Sequence, residues 1–494
     1  MQINELQIEK LVAEVLAKTL GAEGNSSLVN NNSIGNSNEY EYNQSLEVGV
    51  FEKMEDAINE AHRAYQQLKN YSIKDRQRFI DGIKEWTLRE KNILAKKVVE
   101  ETGLGNYEDK IIKHELAART AGTEVLSSKV QSGDTGLALI EQAPYGVVGA
   151  TTPSTNPSET VISNTIAMLA AGNTVVFNVH PSSKHVCAYT VAKINECIMD
   201  LGGPANIITM VKDPTMESLQ VMANCPKINL LVGTGGPGLV RALLKSGKKA
   251  IGAGAGNPPV VVDSTANIKK AAADIIKGHS FDNNIVCILE KEVFVVDEVA
   301  NELIENMKSE GAFYLDSSYI SALTDLIIEA TDKKFFLGNS SKTTNLHTKK
   351  EWVGKDAYKI LDALGIRYST RPKCIICEVP FEHPFVQLEL LMPVLPIVRV
   401  ENFVKGVEYA VEAEHGNRHT AIVHSQNIDN ITYYAKAIDT TIFVKNAPSV
   451  AGIGVDSESV VSFSIAGPTG EGITTAKDFT RARHCVLVDG FRII

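Results

Sequence analysis

The chain has 494 residues, 44% hydrophobic and 22% charged, with 49 basic against 59 acidic residues and a net charge of −10. Those numbers describe an ordinary globular protein of two or three domains and exclude collagen-like, wholly disordered and membrane-embedded classes, since no apolar run reaches the ~18 residues of a spanning helix. The acidic balance argues against a general affinity for nucleic acid or anionic membrane. Seven scattered cysteines make no disulfide framework, and no signal peptide opens the chain, so a reducing cytoplasm is expected.

Residues 1–20 place Ile8, Leu11, Val12, Val15 and Leu16 on one helical stripe, with Glu9, Lys10, Glu14 and Lys18 opposite. A helix this short is marginal alone, so the stripe needs a partner. Residues 21–47 are rich in Asn, Ser and Gly and are expected to be a flexible linker. Two readings stand: an interaction tag on a tether, or a frayed helix that packs on its own domain. The length of the tether favours the tag.

Helical periodicity then runs over 51–68 and 73–99, the second helix with Ser72 as N-cap and Gly103 as stop. Beyond residue 143 short apolar runs alternate with helices: strands over 146–150, 174–179, 207–211 and 228–232, and helices over 163–171, 183–201 and 215–223. Such βα repetition predicts a parallel sheet covered on both faces. A Gly/Ala-rich stretch near 250–256 marks a domain border. A second βα series follows, with strands near 293–296, 375–378 and 441–444, and a last strand near 485–489.

Gly233-Thr-Gly-Gly-Pro-Gly238 matches G-x-G-x-x-G between a strand and a helix, the context in which backbone N–H groups cradle a phosphate. Pro237 is unusual there and no acidic residue follows at about twenty positions, so a plain glycine-rich turn stays open. Of the cysteines, Cys287 alone follows a helix beside a polar Asp-Asn-Asn turn, which makes it the candidate nucleophile. Cys374 and Cys377 have redox-like spacing, but on a strand they point to opposite faces. The eleven histidines show no metal-ligand spacing, and no metal is expected.

Five motifs occur in order: Thr152-Pro-Ser-Thr-Asn-Pro157, Leu169-Ala-Ala-Gly-Asn-Thr-Val-Val176, Phe281-Asp-Asn-Asn-Ile-Val-Cys287, Glu389-Leu-Leu-Met-Pro-Val-Leu395 and Pro468-Thr-Gly-Glu-Gly472. With them residues 48–494 resemble the aldehyde dehydrogenase superfamily, and most of all its CoA-acylating branch from bacterial microcompartments. The resemblance implies an α/β fold of two doubly wound parallel-sheet domains, cofactor-binding over 48–250 and catalytic over 251–445. Residues 446–494 would return to the first domain. Residues 124–144 and the last strand would form an oligomerisation β element for a homodimer or homotetramer.

The resemblance also implies roles. Cys287 would be the nucleophile and Asn156 the oxyanion residue. Thr152, Pro153, His180, Pro181, Ser182, Thr234, Gly235, Gly236, Gly254 and Glu389 would bind NAD, with CoA as cosubstrate. The glutamate base of the hydrolytic members falls where this chain reads Gly252-Ala-Gly-Ala-Gly256, so no carboxylate is placed to activate water. Their ribose-binding K-P-S-E becomes Val179-His-Pro-Ser182, which leaves NAD against NADP open. The expected reaction turns a short-chain aldehyde, propionaldehyde before acetaldehyde, into acyl-CoA. Rival readings are a hydrolytic enzyme and a catalytically silent assembly scaffold. Residues 1–20 resemble an encapsulation peptide that would bind shell or core proteins in a microcompartment lumen.

Overall fold

The computed structural model describes residues 47–493. The expected helix over 1–20 and the linker up to residue 46 lie outside the described residues. In chain order the strands begin with β1 (Val50–Phe51), β2 (Lys129–Gly133), β3 (Gly136–Pro144) and β4 (Val147–Thr151). Next come β5 (Thr174–Asn178), β6 (Ile208–Val211), β7 (Ile228–Thr234) and β8 (Ala250–Ala253). They continue with β9 (Pro259–Val262), β10 (Glu292–Val296), β11 (Ala312–Tyr314), β12 (Ile328–Phe336) and β13 (Thr343–Thr348). The series ends with β14 (Cys374–Glu378), β15 (Val394–Val400), β16 (Thr420–His424), β17 (Ile442–Lys445), β18 (Ile465–Ala466), β19 (Gly472–Ile473) and β20 (Thr480–Val488).

Two parallel sheets dominate. The first has the order β1-β6-β5-β4-β7-β8, the second β11-β14-β15-β10-β9-β16-β17. Ala150 of β4 lies between Phe177 of β5 and Val232 of β7, so the register is set at the centre of the first sheet. Every residue of β4, β5 and β10 is buried. These strands read as continuous apolar runs because helices cover both faces. The helix Pro157–Ala170 is buried along its whole length, which explains why it shows no amphipathic stripe.

Local signals hold well in the helical region. Ser72 and Asp75 form a reciprocal capping box on the helix Ile73–Thr102, and Gly103 ends it in the left-handed conformation at φ 64°. The helix expected over 163–171 begins six residues earlier, with Pro157 at its first turn, where a missing N–H costs nothing. The border expected at residue 250 shifts: β8 keeps 250–253 in the first sheet, and β9 opens the second at Pro259. The sequence pattern does not show strands β1, β8, β9, β11, β12, β13, β15, β16, β18 and β19 as such, and Val50–Phe51 is a strand at the start of the span expected to be helical.

The expected β element forms a third sheet, β2-β3-β20, in which Thr480 to Val488 pair antiparallel with Pro144 to Gly136. It leaves Val130, Val486 and Val488 exposed. Among the described residues no helix is long and apolar enough to cross a membrane.

Candidate active site

The first sheet has a switch point. From β4 the chain steps to β5 and β6 on one side, and β7 with β8 occupy the other. The loops at the carboxyl ends of β4 and β7 therefore part, which opens a crevice where α/β sheets bind ligands. Thr152, Pro153 and Asn156 follow β4, while Gly235 and Gly236 follow β7. Gly254 follows β8. Val179 to Ser182 follow β5, one strand from β4.

The glycine loop is held from two sides. The Thr234 N–H donates to Thr151 Oγ1 at 3.1 Å, and its hydroxyl meets Ser464 Oγ at 2.7 Å. A Cβ on Gly235 would lie 2.9 Å from Leu239 Cδ2, so a side chain there would oblige Leu239 to shift. Gly236 is the N-cap and Pro237 the first residue of the helix Pro237–Leu244, which accounts for a proline inside the fingerprint. Thr152 Oγ1 is buried without a partner. A Cβ on Gly254 would touch only Pro468 Cγ, at 3.8 Å, so the ground beside it is open.

At the end of β5, His180 Nδ1 pairs with Ser182 Oγ at 2.8 Å. Burial, with Lys350 nearby, pulls the imidazole down to about 4, so it is neutral at pH 7. A glycine-lined backbone, a helix N-terminus and a spare buried hydroxyl fit a dinucleotide.

The second sheet contributes its other end. Strands β15, β10, β9 and β16 are consecutive neighbours, and the segments that enter them carry Glu389, Cys287, Gly256 and His419. A Cβ on Gly256 would lie 2.6 Å from the Cys287 carbonyl oxygen and 3.0 Å from His419 Cγ. Only glycine lets these segments approach so closely.

Cys287 is partly exposed. Burial pushes its thiol up to about 12, and Glu389 adds to the rise. Lys291, the Cys287 N–H and Lys113 oppose it. Burial also lifts Glu389 to about 7, against Lys291 and the Gly256 N–H. Lys291 itself is buried and donates to Asn284 O and Asn284 Oδ1, both at 2.7 Å. Burial holds its ammonium below the usual lysine value.

Asn156 stands at the N-cap of the helix Pro157–Ala170, yet its side chain does not cap. Its amide nitrogen donates to Thr155 Oγ1 at 3.1 Å, and its Oδ1 is buried without a partner. An amide nitrogen has two hydrogens, so one is left for another acceptor. Asp282, Asn283 and Asn284 precede Cys287 and are all left-handed, at φ 47°, 52° and 63°. For residues other than glycine this conformation costs of the order of 1 kcal/mol each.

Sequence reasoning missed Lys291, His419, Lys110, Lys113 and Asp282. No fixed spacing announces them, because only the packing of distant strand ends and of the helix Tyr107–Ala118 brings them together. His419 is fully buried, its Nε2 has no partner, and burial lowers it to about 4. The other cysteines stay apart. Burial pushes the Cys374 and Cys377 thiols up to about 12, as suits core residues.

Comparison with known proteins gives one consistent picture. The aldehyde dehydrogenase family model matches residues 44–458. The acetaldehyde dehydrogenase (acetylating) EutE of Salmonella typhimurium is 43% identical over 494 residues, covering 100% of both chains. A propionaldehyde dehydrogenase from the Clostridium phytofermentans fucose utilisation bacterial microcompartment is 48% identical, with a TM-score of 0.86 over 91% of this chain and 100% of that one. The Rhodopseudomonas palustris propionaldehyde dehydrogenase, solved with bound CoA and an acylated cysteine, is 48% identical with a TM-score of 0.84, over 89% of this chain and 98% of its own.

Proposed function

The chain belongs to the aldehyde dehydrogenase family, and on that premise we propose that it is a CoA-acylating enzyme. A short-chain aldehyde, CoA and NAD give acyl-CoA, NADH and a proton. Thr152, Pro153, His180, Pro181, Ser182, Thr234, Gly235, Gly236, Gly254 and Glu389 would hold NAD, which would supply the hydride acceptor.

The chain's own residues do the rest. The Cys287 thiolate attacks the carbonyl carbon, and the carbonyl oxygen becomes an alkoxide. The Asn156 amide N–H and the Cys287 backbone N–H stabilise that charge. Loss of hydride from the adduct leaves a thioester on Cys287. The CoA thiolate then forms the new C–S bond, and Cys287 leaves as the thiolate.

One observation carries the choice of CoA over water. Gly252 stands where the hydrolytic members place their glutamate, so this position carries no carboxylate base, and a Cβ there would already meet Val240 Cγ1 at 2.5 Å. Water, with a pKa near 15.7, needs such a base far more than a thiol near 8.5 does. In the test, propionaldehyde and NAD are mixed with and without CoA. Continuous NADH formation should require CoA and yield propionyl-CoA. Full-rate NADH formation without CoA, with free propionate as product, would identify a hydrolytic enzyme instead. Propionaldehyde is our preferred substrate and acetaldehyde the alternative.

Residues 1–20 act, in this reading, as the tag that carries the enzyme into the lumen of a cytoplasmic microcompartment by binding its shell or core proteins. The support is their amphipathic stripe and the microcompartment origin of a structural relative. Deletion of 1–20 should leave turnover unchanged and abolish co-purification with shell particles; undiminished encapsulation would overturn it. The sheet β2-β3-β20, with Val130, Val486 and Val488 exposed, supports a homodimer or homotetramer, and light scattering on the same two proteins reads that assembly.

A further inference from the structure

The helix Tyr107–Ala118 carries two lysines into the protein interior. Lys110 and Lys113 are both 0% exposed. Their ammonium groups converge on two acceptors that belong to different loops. One is the Thr155 carbonyl, at 2.7 Å from Lys110 Nζ and 3.0 Å from Lys113 Nζ. The other is Asp282 Oδ2, at 2.9 and 2.5 Å. Thr155 is the residue before Asn156, and Asp282 opens the left-handed triplet that leads to Cys287.

Asp282 is pinned from its other side too. Its Oδ1 accepts the Asn106 N–H at 3.0 Å, and its own N–H donates to Asp109 Oδ2 at 2.7 Å. A Cβ on Gly105 would collide with this carboxylate, so the neighbouring turn is cut to admit it. Glu159, 3.6 Å from Lys113, supplies the second buried negative charge. Burial alone would disfavour that carboxylate, yet Lys113, His114 and Lys110 hold it down at about 2.

We infer that Lys110, Lys113 and Asp282 are positioning residues that lock the Asn156 loop to the Cys287 loop and so set the distance between oxyanion donor and nucleophile. The inference rests on the roles proposed above for Asn156 and Cys287. A buried ion pair is weak evidence of stability, because desolvation cancels much of its attraction. Its value here is geometric. Two cations sharing two acceptors allow little relative movement of the loops, and the cluster holds Asp282 in a backbone conformation it would otherwise leave.

The test uses Asp282→Asn, read in two ways, and Lys113→Met, read by kcat alone because Lys113 also favours the Cys287 thiolate. Asparagine tolerates the left-handed region and keeps an acceptor for Asn106, so this variant is the one chosen to fold even if Lys113→Met does not. Aldehyde oxidation needs nucleophile and oxyanion donor in register, whereas iodoacetamide alkylation of Cys287, followed on its own peptide by mass spectrometry, needs the thiolate alone. We expect kcat for NADH formation to fall about 100-fold, the size of effect of a misplaced catalytic group. KM for the aldehyde and the alkylation rate should stay within about threefold of the unmodified enzyme. A kcat within threefold, or alkylation that falls in step with kcat, overturns the positioning role. Failure of the unmodified enzyme to make acyl-CoA is a separate result, which overturns the reading of the site and this inference with it.

Discussion

Cys287→Ala is expected to cut acyl-CoA formation by about 10⁴-fold or more, because the alanine offers no atom on which a thioester can form. Product analysis by mass spectrometry checks it, and retained turnover would remove Cys287 from the mechanism. The thiol stands in a resting environment that disfavours its charge: burial raises it to about 12, with Glu389 adding to the effect. A raised thiol is almost wholly protonated at pH 7, so the reactive fraction grows with pH and shrinks in acid. Alkylation of Cys287 in the cofactor-free enzyme should therefore rise up to about tenfold per pH unit above pH 6. The rise should slacken near pH 7, where the carboxyl of Glu389 ionises and sets a negative charge against the thiolate. A rate independent of pH would show that the thiolate forms by another route.

Asn156→Ala is expected to lower kcat by about 10² to 10³-fold, the usual loss when one oxyanion donor is removed. Its stability cost should be small for a reason visible in the structure. An N-cap asparagine is ordinarily worth about 1 kcal/mol to its helix, but the Asn156 side chain makes no capping bond. Truncation therefore removes a donor from the site and almost nothing from the fold. Parallel kinetics and thermal melting separate the two effects. A large drop in melting temperature with little change in kcat would reassign Asn156 to structure.

Much of the candidate site was legible because its residues sit in local motifs. Thr152 to Asn156 lie in one loop, Gly233 to Gly236 in another, and Cys287 beside a polar turn that turns out to be left-handed at three successive residues. Strong local grammar also placed β4, β5, β6 and β7 of the first sheet within about two residues. The capping box at Ser72 and Asp75 and the stop at Gly103 did the same for the helix between them.

The buried charges were illegible for an opposite reason. The sequence pattern singles out neither Lys110 nor Lys113, and Asp282 reads only as part of a polar turn. Their function as a joint depends on Thr155 and Asp282 reaching them from loops 45 and 169 residues away. His419 was missed likewise, since it meets the Cys287 segment only across Gly256.

The sequence by itself determined the alternation of strand and helix and the parallel sheets, and its motifs pointed to the family and to Cys287 as the candidate nucleophile. The alternation and the sheets follow from residue types at short spacing, where backbone preference and hydrophobic period act, whereas the family and the candidate nucleophile rest on the resemblance carried by five motifs in order. Tertiary structure alone decided how one centre is assembled from the carboxyl ends of the first sheet and the amino ends of four neighbouring strands in the second. That arrangement is set by strand order, and strand order is a property of packing between distant segments that no local pattern encodes.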